Sequence, residues 1–210
     1  MEENTKNQDF LGTEPVGKLL FKLALPAIAA QLINVLYNIV DRVYLGHMKD
    51  VGGLALTGVG VCAPILMIIS AFAALVAMGG APLASIELGK QNREGAERIM
   101  GSCFALQVVL SLVLTAVCLI WNEPLLLLFG ASENTIPYAT QYINVYALGT
   151  IFVQLTLGMN AFISAQGFAK TSMLTTLIGA VCNIILDPIF IFACDMGVRG
   201  AALATVISQA

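Results

Sequence analysis

Five long apolar segments dominate this chain and restrict the folds open to it. A membrane-spanning helix needs about 20 mostly apolar residues, and stretches near 18–45, 53–80, 98–121, 137–163 and 171–193 meet that requirement. A sixth apolar segment begins near Val198 and continues to residue 210. With 58% hydrophobic and 11% charged residues, the composition is that of an integral membrane protein. We therefore predict an all-α membrane protein, a six-helix transmembrane bundle whose sixth helix, 198–210, is truncated.

The placement of lysine and arginine predicts how this bundle is oriented. Seven of the ten basic residues fall on the N-terminal segment, the second loop or the fourth loop: Lys6, Lys18, Lys22, Lys90, Arg93, Arg98 and Lys170. The other three are Arg42, Lys49 and Arg199. Because cytoplasmic loops carry the excess of positive charge, we expect residues 1–17 to be a cytoplasmic segment and 18–210 a transmembrane lobe. The expected location is the cell (inner) membrane, crossed several times.

Two carboxylates interrupt the apolar segments, Asp41 in the first and Asp187 in the fifth. A charge at the bilayer centre costs roughly 2.5–3.5 kcal/mol on insertion scales, so such residues usually face the protein interior or a wet cavity. With a rise of about 1.5 Å per residue, both lie roughly 7–10 Å below the outer membrane boundary. Thr205 and Tyr142 reach a similar depth. These four residues are predicted to share one layer.

Helical periodicity groups further polar residues with the two carboxylates. In the first helix, one third of the circumference carries Gln31, Asn34, Tyr37, Asn38 and Asp41. In the fifth helix, a narrow stripe contains Thr176, Gly179, Asn183 and Asp187. A polar stripe on an apolar helix indicates the side that faces the interior of a bundle.

The oxygens of this layer are hard ligands. Carboxylate, amide, hydroxyl and phenol oxygens suit H⁺ or a small hard cation such as Na⁺ rather than a soft metal. Two neighbouring carboxylates titrate as a coupled pair, and such a site can take up a cation at one membrane face and release it at the other. Two alternatives stay open: Asp41 can pair with Arg42, and Asn183 and Thr205 can serve as hydrogen bonds between helices.

Each of the two apolar segments that contain an aspartate also contains a proline, Pro26 in the first and Pro188 directly after Asp187 in the fifth. Each removes a backbone donor and loosens its helix. They can let these helices bend as the site fills, and a static kink is the alternative interpretation.

Three motifs resemble the multidrug and toxic compound extrusion (MATE) family of cation-coupled antiporters. They are LALPAIAAQLINVLYNIVDRVYLGH, LALTGVGVCAPI, and NIILDPIFIF followed by GVRGAALATVIS. The resemblance extends from about Gly12 to the last residue. It implies a transporter of twelve helices in two six-helix lobes, of which this chain would be the N-terminal lobe, with the C-terminal lobe missing.

The resemblance also implies roles for individual residues. It matches the coupling-ion positions (H⁺ or Na⁺) of the family to Asp41, Asn183, Asp187 and Thr205, with Tyr142 beside them. It matches positions of the substrate cavity to Gln31, Asn34, Tyr37 and Asn160. The implied function is secondary active transport that exports drugs or organic cations in exchange for the coupling ion. No other cofactor or metal and no nucleic-acid partner is expected.

Three other functions stay open at this stage. A lipid-linked saccharide flippase of the same superfamily would be expected to carry cationic residues in its cavity, and the middle of the spans has none. An intramembrane aspartyl enzyme has only the aspartate pair in its favour, because the chain has one histidine and no HExxH, GxSxG or phosphate-binding loop. A scaffold without transport activity does not explain a layer of polar residues. We therefore expect a transporter and not an enzyme.

Overall fold

Helices form nearly all of the chain that the structure describes. The computed structural model describes residues 15–210, so most of the predicted N-terminal segment, 1–17, lies outside the described residues. The helices are α1 (Val16–Gly46), α2 (Gly52–Gly89), α3 (Arg93–Ile120), α4 (Asn122–Leu128), α5 (Ile136–Leu148), α6 (Thr150–Ala165), α7 (Ala169–Pro188) and α8 (Val198–Gln209). A π-helical turn, Ile189–Ala193, continues α7.

Four of the described helices are long and apolar enough to cross a membrane: α1, α2, α3, and α7 with its π-helical turn. A fifth span is present if α5 and α6, which meet at a bend of 60°, are counted together. Large apolar side chains such as Met67, Met78 and Ile178 are more than half exposed on the outer surface of the bundle. A lipid-facing surface has this character because hydrocarbon solvates such side chains. The predicted all-α membrane fold is confirmed.

Small residues allow α2 and α5 to approach closely. A Cβ on Gly58 would lie 3.0 Å from the carbonyl oxygen of Thr135, at the start of α5. One turn later, the Sγ of Cys62 donates to the carbonyl oxygen of Ala139 at 3.4 Å. Close backbone approach at small residues is how membrane helices gain packing energy without a hydrophobic effect between them. This contact places α5 against the centre of the bundle.

The segment predicted near 137–163 needs a correction, because it is two helices and not one. The break falls at Gly149, between α5 and α6. A Cβ at Gly149 would overlap the side chain of Val206 on α8. Because glycine lacks that atom, α8 can pack against the bend between α5 and α6. A single glycine in an apolar run does not predict such a contact.

The end of α7 changes its helical geometry at Pro188. The following turn widens, and the amide of Cys194 donates to the carbonyl oxygen of Ile189 at 2.8 Å. Gly200 of α8 packs against the backbone of Phe190, where a Cβ would lie 2.6 Å from the carbonyl carbon. Single π-helical turns occur often at functional sites. By contrast, α1 continues through Pro26, which is buried.

Candidate cation site and adjoining cavities

Asp41 is buried near the end of α1, with 8% of its surface exposed. No ion pair joins it to Arg42 in the part of the chain that the structure describes, and Arg42 is itself exposed. Its Oδ1 has no hydrogen-bond partner among the described residues. The two side chains thus form no salt bridge among the described residues, although Arg42 lies within electrostatic range of Asp41.

Asp187 and Asn183 lie one turn apart on α7 and are 0% and 1% exposed. The Nδ2 of Asn183 donates to the Oδ1 of Asp187 at 3.4 Å. Within residues 15–210, the Oδ2 of Asp187 and the Oδ1 of Asn183 have no partner. This hydrogen bond stays within α7, so Asn183 does not use its amide nitrogen to join two helices.

Asp41 lies on α1 and Asp187 on α7, and these two helices pack along each other. Their carboxylates are close enough to interact electrostatically. Tyr37, one turn before Asp41, interacts with both carboxylates. Helical periodicity predicted Tyr37 on the same side of α1 as Asp41, and the packing of α7 on α1 brings Tyr37 within electrostatic range of Asp187 as well.

Tyr142 and Thr205 complete the layer from α5 and α8. The phenol of Tyr142 interacts with the side chain of Thr205 and lies within electrostatic range of Asp41. The Thr205 hydroxyl donates to the carbonyl oxygen of Ala201 at 3.0 Å, so its oxygen can still accept. Tyr146 stacks on Tyr142 with ring centroids 6.0 Å apart. Sequence reasoning missed Tyr146, although its spacing of four residues from Tyr142 was an available signal.

The chemistry of these donors fits a small hard cation or a proton. Three buried oxygens, on Asp41, Asn183 and Asp187, have no partner among the described residues. A buried carboxylate without a partner is costly, because its lost hydration is not replaced. A proton shared by the carboxylates, or Na⁺ bound by the surrounding oxygens, can satisfy them.

Two cavities lie beside α1, α6 and α7, and one of them shares Asn183 with this layer. A polar cavity of about 270 Å³ lies between α1, α6, α7 and α8, and its lining includes Asn34, Tyr37, Asn160 and Asn183. A larger, mostly apolar cavity of about 650 Å³ lies between α1, α6 and α7, and its lining includes Gln31, Asn34 and Asn160. Each residue predicted to line a substrate cavity therefore borders one or both. Asn183 belongs to the polar cavity and also contacts Asp187.

Asn160 holds α6 against α7 where the two cavities meet. Its Nδ2 lies 3.4 Å from the hydroxyl of Thr176, to which it donates. Its Oδ1 is buried and has no partner within the described chain. Asn160 therefore keeps an unused acceptor beside the cavities.

Two glutamines that sequence reasoning did not select are fully buried, Gln107 on α3 and Gln154 on α6. The Nε2 of Gln154 donates to the carbonyl oxygen of Ile69 at 2.8 Å. Neither side-chain polar atom of Gln107 has a partner among the described residues, and its amide packs against Gly158. A polar residue in an apolar helix, the signal that selected Asp187, would have selected both glutamines.

Comparison with known proteins assigns the family. The MatE family model matches residues 26–189, which is most of the chain. The chain belongs to the MatE family. This match includes Asp41 and Asp187 and agrees with the resemblance of the three sequence motifs. The prediction of a multi-pass membrane protein of a transporter family, and not an enzyme, is confirmed.

Individual relatives are similar in sequence and in fold. Multidrug export protein MepA of Staphylococcus haemolyticus (strain JCSC1435) is 29% identical over 193 residues, which are 92% of this chain and 42% of that protein. The solved outward-facing conformation of a multidrug resistance MATE family transporter of the MOP superfamily is 28% identical, with a TM-score of 0.84. That match covers 91% of this chain and 42% of the transporter.

A third relative differs from these two in the polarity of its binding pocket. It is a MOP superfamily transporter from Pyrococcus furiosus whose reverse polarity of binding pocket suggests a different function. It is 28% identical with a TM-score of 0.84, over 91% of this chain and 42% of that one. The chain thus spans less than half the length of each of these relatives.

Proposed function

We propose that this chain forms one lobe of a cation-coupled antiporter that exports drugs or organic cations. The coupling ion, H⁺ or Na⁺, binds at Asp41, Asn183, Asp187 and Thr205, with Tyr142 beside them. A second lobe completes the transporter in the cell (inner) membrane, with the N-terminus of this chain in the cytoplasm. MepA is named a multidrug export protein, which supports the substrate class.

One observation carries the proposal: buried oxygens without partners among the described residues converge from two helices. Asp41 on α1 and Asp187 on α7 lie within electrostatic range of each other, and each keeps one carboxylate oxygen unsatisfied within residues 15–210. A structural ion pair would supply a cationic partner, and an apolar core would contain no carboxylates. A site that takes up and releases a cation accounts for both features.

In this proposal, the polar cavity couples cation binding at this site to substrate binding. Asn183 and Tyr37 line the cavity. Asn183 also donates to Asp187, and Tyr37 lies within electrostatic range of both carboxylates. Uptake of a cation changes the net charge at the end of the cavity and the hydrogen bonds available to Asn183. A substrate that carries positive charge then binds less well, so loading the site on the outer side favours its release.

Bending of α1 and α7 supplies the movement in this proposal. Pro26 and Pro188 each leave one carbonyl of the helix without its usual donor. The π-helical turn that follows Pro188 begins two residues after Asp187. A change in charge at Asp187 therefore acts directly beside a segment whose helical hydrogen bonds are already rearranged.

A lipid-linked saccharide flippase is the second candidate, and the reversed pocket of the Pyrococcus furiosus relative is the reason to test it. A pyrophosphate group would call for basic residues in the cavity. Among the described residues that line the two cavities, none is lysine or arginine. The lack of basic side chains among these lining residues therefore favours a neutral or cationic substrate.

The test is transport by the full-length protein in vesicles, with a fluorescent organic cation as substrate. Separate proton and sodium gradients are imposed, and export is recorded for each. We expect one of the two gradients to drive export, and its identity names the coupling ion. An export rate that changes with neither gradient would contradict the antiporter. Movement of a lipid-linked saccharide across the membrane of the same vesicles would favour the flippase.

A further inference from the structure

A second groove lies outside the cation site, on the outer surface between α2 and α3. It encloses about 600 Å³, and its lining includes Phe72, Gly79 and Leu83 on α2 and Arg98, Leu106 and Leu110 on α3. None of these residues lines the two cavities beside the cation site. The groove is apolar except at one end, where Arg98 lies one turn from Ser102.

The length of the groove matches one leaflet of a bilayer. From Arg98 to Leu110, α3 rises about 18 Å at 1.5 Å per residue. Half of a hydrocarbon core of about 30 Å is about 15 Å. Arg98 therefore lies near the membrane surface when Leu110 lies near the midplane. Both helices are apolar enough to span the membrane, so lipid hydrocarbon rather than water is the medium that fills a groove at this depth.

Glycine creates the floor of the groove. Among the described residues, no heavy atom lies within 4 Å of the position that a Cβ on Gly79 would occupy. The next residue, Gly80, packs tightly against Cys103 of α3, so the two helices touch at Gly80 and leave a trough over Gly79. A flexible chain can lie in this trough without displacing any side chain.

The basic end of the groove favours an anionic head group. Arg98 pairs with Glu94 at 2.7 Å, but their side chains are 79% and 77% exposed, and exposed pairs of this kind contribute little. The guanidinium group has five N–H donors, so it can contact a phosphate while it keeps Glu94. Basic sites between membrane helices near the surface bind anionic lipid head groups.

We propose that this groove binds an anionic phospholipid, with one acyl chain over Gly79 and the phosphate at Arg98. The proposal does not rest on the transport function, and the cation site can be refuted without affecting it. The lipid would fill the gap between α2 and α3 and hold their connecting loop at the membrane surface.

The experiment measures lipid binding to the full-length protein by native mass spectrometry after delipidation in detergent. Phosphatidylglycerol and phosphatidylcholine are titrated separately, because they differ in net charge. Arg98→Ala is compared with Arg93→Ala, which removes the same charge at the same end of α3 but outside the groove. Gly79→Leu is compared with Gly60→Leu, since Gly60 also has no heavy atom of the described chain within 4 Å of a Cβ.

We expect the unmodified protein to bind phosphatidylglycerol more tightly than phosphatidylcholine. Arg98→Ala should weaken phosphatidylglycerol binding about fivefold, the effect of one basic group near the surface. Gly79→Leu should abolish the binding of both lipids at this site, and both control variants should bind as the unmodified protein does. Equal affinity for the two lipids, or unchanged binding by Gly79→Leu, would overturn the proposal. If the unmodified protein is a dimer and Gly79→Leu dissociates it without changing lipid binding, the groove binds a second copy of the chain. That result would also overturn the proposal.

Discussion

The amide nitrogen of Asn183 donates to Asp187 one turn further along α7, at 3.4 Å, and this bond orients both side chains. It uses one carboxylate oxygen of Asp187 and the only donor group of the Asn183 side chain. Within the described chain, it leaves one oxygen on each residue without a partner. This bond therefore orients Asn183 and Asp187 but leaves one side-chain oxygen of each available to a cation, as the proposed site requires.

Asp187→Asn should abolish cation-driven export by the full-length protein. The amide has nearly the shape of the carboxylate, but it carries no charge and cannot exchange a proton. We expect export to fall to the level seen without a gradient in the vesicle assay, with the protein still folded. Asp50→Asn is the matched control, because Asp50 is exposed in the turn after α1. Normal coupled export by Asp187→Asn would refute the role assigned to this residue.

Thr205→Val should separate sodium binding from proton binding. Valine has the shape of threonine but lacks the oxygen that can complete a Na⁺ site, whereas a proton needs only the carboxylates. We expect Na⁺ affinity to fall by about tenfold, the effect of one lost polar contact, and proton-driven export to change by less than about twofold. The readout is export against Na⁺ concentration and, separately, against pH gradient.

The control for this change is Thr57→Val on α2. The Thr57 hydroxyl also donates to the carbonyl oxygen four residues earlier, at 2.8 Å, but it is exposed. A loss of Na⁺ affinity as large in Thr57→Val as in Thr205→Val would show that the effect is not specific to the site.

Gly158→Ala should destabilise the contact between α3 and α6. A Cβ at this position would overlap the amide group of Gln107, and overpacking of this kind costs about 1–3 kcal/mol. We expect a lower thermal unfolding temperature in detergent. Gly101→Ala is the control, because no described heavy atom lies within 4 Å of its Cβ position, and it should leave the unfolding temperature unchanged or raise it. Equal effects of both variants would contradict the packing described for Gln107.

Gln107→Leu should stabilise the protein. The substitution keeps a similar volume and removes two buried polar atoms that have no partner within residues 15–210. Leaving such groups unsatisfied costs about 1–3 kcal/mol, so the unfolding temperature should rise. Gln154→Leu is the comparison: it loses the bond to Ile69 and should gain less or lose stability. A drop in stability with Gln107→Leu would contradict this account, because it would show that the Gln107 amide contributes to the folded state.

Much of this protein could be predicted from short stretches of its sequence. The apolar segments predicted the membrane helices, because the length of an apolar run and the thickness of a bilayer are fixed quantities. Asp41 and Asp187 could be selected one at a time, since the cost of a charge in hydrocarbon depends on the residue itself. The helical repeat then placed Asn183 beside Asp187, because a spacing of four residues is local geometry.

The tertiary structure decided the features that join distant parts of the chain. Only the packing of α1 on α7 brings Asp41 within electrostatic range of Asp187. The bend at Gly149 depends on Val206 of α8, and the groove over Gly79 depends on where α3 touches α2. The sequence by itself determined which residues must avoid lipid, because that cost belongs to each side chain. Which residues meet in the interior was decided by helix packing, because that depends on the shapes of both surfaces at once.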